Sequence, residues 1–258
     1  MADTFRLIRP SEVAERVRML ASSFEKIYGD MVDVSKTSVE PFSLLATEEY
    51  LERTKLGLVL RGAVMDGYYA PIIVLSERDV TYILDGHHRA YVYWLLGYMF
   101  IDAYMLRLKH VSHARRGAFR LWEMRLYQDE IPKAPKARLW RFTAGVIHFF
   151  VTRYKGAFRF KVSSCRLDEL VPTQSLVEPE GVEKVEKLGV LDEPILCLEY
   201  RGKKYIVDGH ARAVNLLLKG RESVNALIIY PTDENIKIGL IEASERMGLR
   251  SLSDVEIK

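Results

Sequence analysis

Apolar positions along the chain fall into short periodic blocks separated by polar turns. Over residues 11–28, Val13, Val17, Leu20, Phe24 and Ile27 recur at helical spacing. They predict an amphipathic helix that packs on the protein, with Ser11 as its N-cap. Residues 71–76 form an apolar run behind a proline, and residues 80–84 read VTYIL, β-branched and aromatic. With the polar stretch Ser76–Asp79 between them, they predict a buried strand, a hairpin and a second strand. The apolar stretch that follows ends at Gly97, which suits a helix closed by a C-terminal glycine. The order recurs later as PILCLEY, the turn RGKK, YIV and a stretch ending at Gly220. There Gly202 stands where a tight hairpin takes a positive φ. The tail, 233–258, reads as a helix and a short polar end without visible chemistry.

The recurrence is a true internal repeat. Residues 71–97 align with 194–220 at a constant offset of 123, and 13 of the 27 positions are identical. A looser match, after an indel, relates residues 44–57 to 170–189 around Thr47 and Thr173. A period this long indicates domain duplication rather than a solenoid of short units. The expected organisation is a first half over 1–108, a connector over 109–161 and a second half over 162–258. The fold class is α/β (α+β), each half a small mixed sheet with helices.

Composition sharpens this picture in three places. At 258 residues and 48% hydrophobic, the chain is long and apolar enough to bury a core. No apolar run approaches the roughly 18 residues of a membrane span. The N-terminus MADTFRLIRPSEVAERV has no apolar core of signal-peptide length, and its Asp3, Glu12 and Glu15 argue against a transit peptide. A soluble cytoplasmic protein without membrane association is therefore expected. Two cysteines, Cys165 and Cys197, are too few for a disulfide framework and read as buried thiols. Three Asn and two Gln among many charges suit a thermophilic source. Net charge is only +3, yet residues 107–161 carry 14 Lys+Arg against Glu123, Asp129 and Glu130, or +11. A basic middle points to an anionic ligand, either nucleic acid or a small phosphorylated molecule. Trp122, Trp140, Phe142, Phe149, Phe150 and Tyr154 lie among these charges. They suit a helix pair packed between the halves or, alternatively, a single-stranded nucleic-acid surface. Arg115, Arg116, Arg138 and Arg141 are candidates for holding a substrate carboxylate or a nucleotide phosphate.

Chemistry concentrates where each second strand turns into a helix, at Asp85-Gly86-His87-His88-Arg89 and Asp208-Gly209-His210-Ala211-Arg212. The first N–H groups of a helix are unpaired and its N-terminus is partly positive. Gly86 permits close approach of a phosphate. His87, His88 and Arg89 add donors, and Asp85 at the strand end is placed to hold Mg²⁺. The plainer reading makes Asp85 an N-cap and Arg89 a surface partner. A metal site of His87 and His88 is disfavoured, because adjacent histidines do not share a helix face.

The pattern of strand, hairpin, strand, Asp-Gly-His-His-Arg and helix resembles the ParB/sulfiredoxin superfamily, over roughly 44–108 and 166–230. Sulfiredoxins carry a reactive cysteine in this motif and partitioning proteins typically Gly-Glu-Arg-Arg. Asp-Gly-His-His-Arg looks like the free-serine kinases of archaea and some bacteria. That resemblance implies phosphoryl transfer from ATP or ADP, with Mg²⁺, to the hydroxyl of free L-serine, giving O-phosphoserine for cysteine biosynthesis. It also implies a catalytic glutamate upstream, for which Glu48 is the counterpart, with Glu49 adjacent. Glu48, Asp85, His87, His88 and Arg89 are then the expected catalytic set, and Gly86 with His87, His88 and Arg89 the expected phosphate cradle. In the second half Gln174 and Ala211 replace Glu48 and His88, so Asp208, Gly209, His210 and Arg212 are at most a ligand-binding copy. Two other functions fit the residues: a ParB-like nucleic-acid-binding or nuclease protein using the basic connector, and a non-catalytic nucleotide-binding regulator.

Overall fold

The computed structural model describes residues 6–110, 117–233 and 235–258. Contacts divide them into two units: residues up to 131 together with 140–155, and 132–139 together with 156–258. Each is built on a mixed sheet, and seven α-helices occur among the described residues.

In the first unit, helix α1 (Pro10–Tyr28) leads into strand β1 (Val32–Val39). Pro10 takes the first helical position, where a missing N–H costs nothing. Arg9, not Ser11, is the N-cap, and its N–H donates to Glu12 Oε2 at 2.7 Å. Short strands β2 (Leu44–Ala46) and β3 (Tyr50–Glu52) precede helix α2 (Arg53–Met65). Strands β4 (Ile72–Glu77) and β5 (Val80–Asp85) form the expected hairpin, helix α3 (His87–Leu95) follows, and β6 is Ile101–Leu108. Strands β7 (Phe119–Arg120) and β8 (Arg125–Tyr127) complete the set. The sheet order is β1-β6-β4-β5-β2-β7, and β3 pairs separately with β8. Helix α1 lays Val13 and Val17 on Ile73, Leu75 and Leu106 of one sheet face.

Helix α4 (Pro135–Arg153) begins in the second unit and runs on in the first. The second unit continues with β9 (Phe158–Arg166), β10 (Leu170–Val171), β11 (Leu176–Val177) and helix α5 (Pro179–Lys187). Then come the hairpin β12 (Ile195–Tyr200) and β13 (Lys203–Asp208), helix α6 (His210–Leu218), β14 (Ser223–Pro231), helix α7 (Gly239–Arg246) and β15 (Glu256–Ile257). Its sheet order is β10-β13-β12-β14-β9, with β11 paired to β15. Ile195, Cys197, Ile206, Ala213, Val214, Ile228 and Leu252 share its core.

The duplication reaches much further than the alignment of 71–97 with 194–220. Elements α1 to β8 recur in order as α4 to β15, with matching strand directions. The differences are β7 in the first run and α7 in the second. The described residues of 109–161, read from sequence as a helical connector, contain one long helix rather than a pair. The stretch FRLWEMRLY (119–127) alternates apolar with charged residues for much of its length, and it forms β7, a 3₁₀ turn and β8. The polar end of the tail is likewise a strand, β15, lying beside β11. Among the described residues, no helix is long and apolar enough to cross a membrane.

Candidate active site

All nine residues of α3 are buried, the polar side chains of His87, His88 and Arg89 among them. A buried polar group needs a partner, and each has one. Thr47 N–H donates to His87 Nε2 at 3.2 Å, while the Thr47 hydroxyl donates to Ile83 O at 2.6 Å. Because Nε2 accepts a backbone N–H, the ring proton sits on Nδ1. That nitrogen faces Glu48 Oε2 at 3.5 Å. His88 Nε2 accepts from Glu52 N–H at 2.9 Å, and burial pushes its imidazolium pKa down to about 3, with Lys55 and His87 adding to the effect. His88 is therefore a neutral imidazole. Arg89 Nη2 donates to Asp85 Oδ2 at 2.8 Å and Nη1 donates to the carbonyl of Pro71. The Asp85–Arg89 pair thus faces inward. Asp85 is not the N-cap: Gly86 is, at φ 98°, and no side chain caps the helix.

Gly86 is required by the chain's own packing. A Cβ there would stand 2.8 Å from Ile72 Cγ2 and 2.9 Å from Arg89 Nη2. Gly209, at φ 101°, meets Ile195 Cγ2 at 2.6 Å and Arg212 Nη2 at 2.8 Å. The second motif repeats the rest of the clasp. Thr173 N–H donates to His210 Nε2 at 3.0 Å, and Arg212 holds Asp208 Oδ2 at 2.6 Å and Pro194 O at 2.7 Å. Burial lowers the His210 pKa to about 4. The residues shared by both motifs are those that fasten the turn to its sheet.

What the first unit adds is a cavity of about 130 Å³ over this turn. Glu48, Lys55, Asp85, Gly86, His87, His88 and Arg89 line it, so the structure brings every expected first-half site residue to one place. Glu48 presents a carboxylate that is 58% exposed, whereas Glu49 is tied to Arg125 at 3.1 Å. Leu58, Val59 and Tyr68 add an apolar wall, and Arg6 and Arg16 add positive charge. Sequence reasoning missed Arg6, Arg16, Lys55 and Tyr68. One signal was present for Lys55. Counted from the matched N-caps Glu52 and Glu178, it stands opposite Gly181, just as Glu48 stands opposite Gln174.

Two of the four candidate arginines of the middle segment are committed elsewhere. Arg141 pairs with Asp129 at 3.2 Å, and Arg138 donates to the carbonyl of Pro132. Arg115 and Arg116 lie outside the described residues. Trp140 and Phe150 are buried, while Phe142 and Phe149 are exposed. Among the described residues there is no cluster of three or more His, Cys, Asp or Glu side chains set to hold a metal. Mg²⁺ asks less of a protein, because it takes one or two carboxylates and fills its remaining positions with water and phosphate oxygens. Asp85, a single carboxylate lining the cavity, fits that requirement.

No family model matches the chain. A curated relative, an uncharacterized protein of Methanocaldococcus jannaschii, is 37% identical over 95 residues, which are 35% of this chain and 36% of that protein. The match thus spans about a third of the relative's length. Similar solved structures include a protein of Agrobacterium tumefaciens at 17% identity and TM-score 0.31, covering 38% of this chain and 63% of that one. They also include a free serine kinase in complex with AMP, in two solved structures, one of a mutant, at 14% identity and TM-scores of 0.26 and 0.24. Each of these covers 84% of this chain and 75% of the kinase. Scores at this level do not establish a shared fold.

Proposed function

We propose that the first unit is a phosphotransferase that moves a phosphoryl group from ATP or ADP to the hydroxyl of free L-serine. The observation that carries this reading is the placement of Glu48. Its exposed carboxylate shares one small cavity with the uncapped Gly86 turn, Lys55 and Arg16. Phosphoryl transfer needs positioning and charge stabilisation more than covalent chemistry. The helix start and Lys55 stabilise negative charge on the transferred group. Glu48 accepts the hydroxyl proton as the serine oxygen bonds to phosphorus. The bond from phosphorus to the bridging oxygen of the nucleotide breaks, and its electron pair leaves with that oxygen. The Nδ1–H of His87, fixed by Thr47, orients the Glu48 carboxylate. Mg²⁺, which Asp85 would hold, would supply charge neutralisation on the nucleotide's phosphates. Arg89 acts one layer back, holding Asp85 in place. The second unit keeps the clasp and lacks the carboxylate, the second histidine and the lysine, so it is assigned no catalysis.

The test is phosphoryl transfer to free L-serine with ATP, ADP or pyrophosphate and Mg²⁺. O-phosphoserine is expected from wild type and from Gln174→Ala. Glu48→Gln should lose at least roughly two orders of magnitude in kcat, the low end for a general base. Absence of product with every donor refutes the reading, and salt-sensitive nucleic-acid binding would then favour the ParB-like alternative.

A further inference from the structure

Asp85 divides its two carboxylate oxygens between two arginines of different character. Oδ2 belongs to Arg89, which is buried, and the second unit repeats that pair as Asp208–Arg212. Oδ1 receives Arg16 Nη1 at 3.1 Å, from helix α1. The Arg16 side chain is 52% exposed and lines the cavity. In element order its counterpart on α4, a helix of equal length that also opens with proline, is Arg141. Arg141 is bound to Asp129 instead. The Arg16–Asp85 contact therefore belongs to the half that carries Glu48 and Lys55. It does not share the fastening role of the repeated pair.

An exposed ion pair holds its partners weakly. A guanidinium on a flexible stem can leave such a contact for a better one, and a phosphate offers it a bidentate, doubly charged acceptor. We infer that Arg16 is an exchangeable phosphate ligand. It neutralises Asp85 while the cavity holds no anion, and it transfers to the phosphates of a bound nucleotide. The transfer leaves Asp85 Oδ1 open on the cavity wall. Helix α1 thereby becomes the third side of the site, beside the Gly86 turn and α2. This inference rests on the phosphotransferase reading and adds a residue to it.

Calorimetric titration of the full chain with ADP and with adenosine, in EDTA, tests it. The proteins are wild type, Arg16→Met and Arg16→Lys. Arg16→Met should weaken ADP binding by roughly ten-fold or more, the loss of a charge-assisted hydrogen bond. Arg16→Lys should recover part of that loss, and adenosine should bind all three proteins alike. Thermal unfolding of Arg16→Met should stay close to wild type, and Arg16→Gln serves in its place if it does not. ADP binding equal to or tighter than wild type in Arg16→Met would overturn the inference and leave the proposed function standing. Absence of ADP binding by the wild type in EDTA would overturn the inference, and absence of both ADP and ATP binding with Mg²⁺ as well would overturn the proposed function with it.

Discussion

Acidification should destabilise the first unit more than the second. Burial lowers the imidazolium pKa of His88 to about 3 and those of His148 and His210 to about 4. His148 also lies near Arg53 and bonds through Nδ1 to Tyr91 at 2.9 Å. In the unfolded chain each histidine titrates near 6.5. Between that value and the folded pKa, the unfolded state binds more protons than the folded state. Stability therefore rises with pH through this window and is lost as pH falls from 6.5 towards 4. From pH 7 to pH 5 the loss is about 2 kcal/mol per histidine. It hardly depends on where below pH 5 the folded pKa lies, since all three rings are neutral there when folded. His88 and His148 belong to the first unit and His210 to the second. The first unit should thus lose about 4 kcal/mol and the second about 2 kcal/mol, against totals of about 5–15 kcal/mol for folded proteins. The assay is urea denaturation at pH 7 and pH 5, read by tryptophan fluorescence and by far-ultraviolet circular dichroism. All three tryptophans, Trp94, Trp122 and Trp140, lie in the first unit, so fluorescence reports that unit alone. Its midpoint should fall more steeply with acid than the dichroism midpoint of the whole chain. His88→Ala, which copies Ala211 of the second motif, should reduce the fluorescence-detected loss by about 2 kcal/mol. Equal stability at the two pH values, or an unchanged loss in His88→Ala, would refute the reasoning.

Two further outcomes follow from close packing. Gly57→Ala would place a Cβ 2.7 Å from the backbone carbon and oxygen of Trp140, so α2 and α4 must separate. We expect a cost of about 1–3 kcal/mol, measured by chemical denaturation. Cys165 and Cys197 are buried, and burial raises both thiol pKa values, that of Cys197 strongly. Both should resist alkylation by iodoacetamide in the folded protein and react fully in denaturant. Labelling of either thiol faster than unfolding would contradict their placement.

How much was legible in the sequence differs between the clasp and the cavity. The hairpin and the helix behind it could be read twice, because the clasp demands the same side chains in both units. Gly86 and Gly209 admit Ile72 and Ile195, and Arg89 and Arg212 must reach Pro71 and Pro194. Helices α1 and α4 escaped the alignment because a helix packing on its surroundings asks only for an apolar stripe. Many side chains satisfy that demand, and only Pro10/Pro135, Arg16/Arg141 and Phe24/Phe149 remain to match. The basic middle is spread through the fold in a way the sequence does not show. Charges close in sequence are distributed between two units, where Arg125, Arg141, Lys136 and Lys161 meet Glu49, Asp129, Glu193 and Glu199. The identical positions of the two motifs therefore include those that hold the fold, and what the first unit has alone lies where the copies differ. Glu48 opposite Gln174, His88 opposite Ala211 and Lys55 opposite Gly181 surround one cavity. Arg16 arrives from a helix that the alignment could not see. Residues that face a ligand make few contacts with their own chain, so only selection for the ligand maintains them, and a copy relieved of that task is free to lose them.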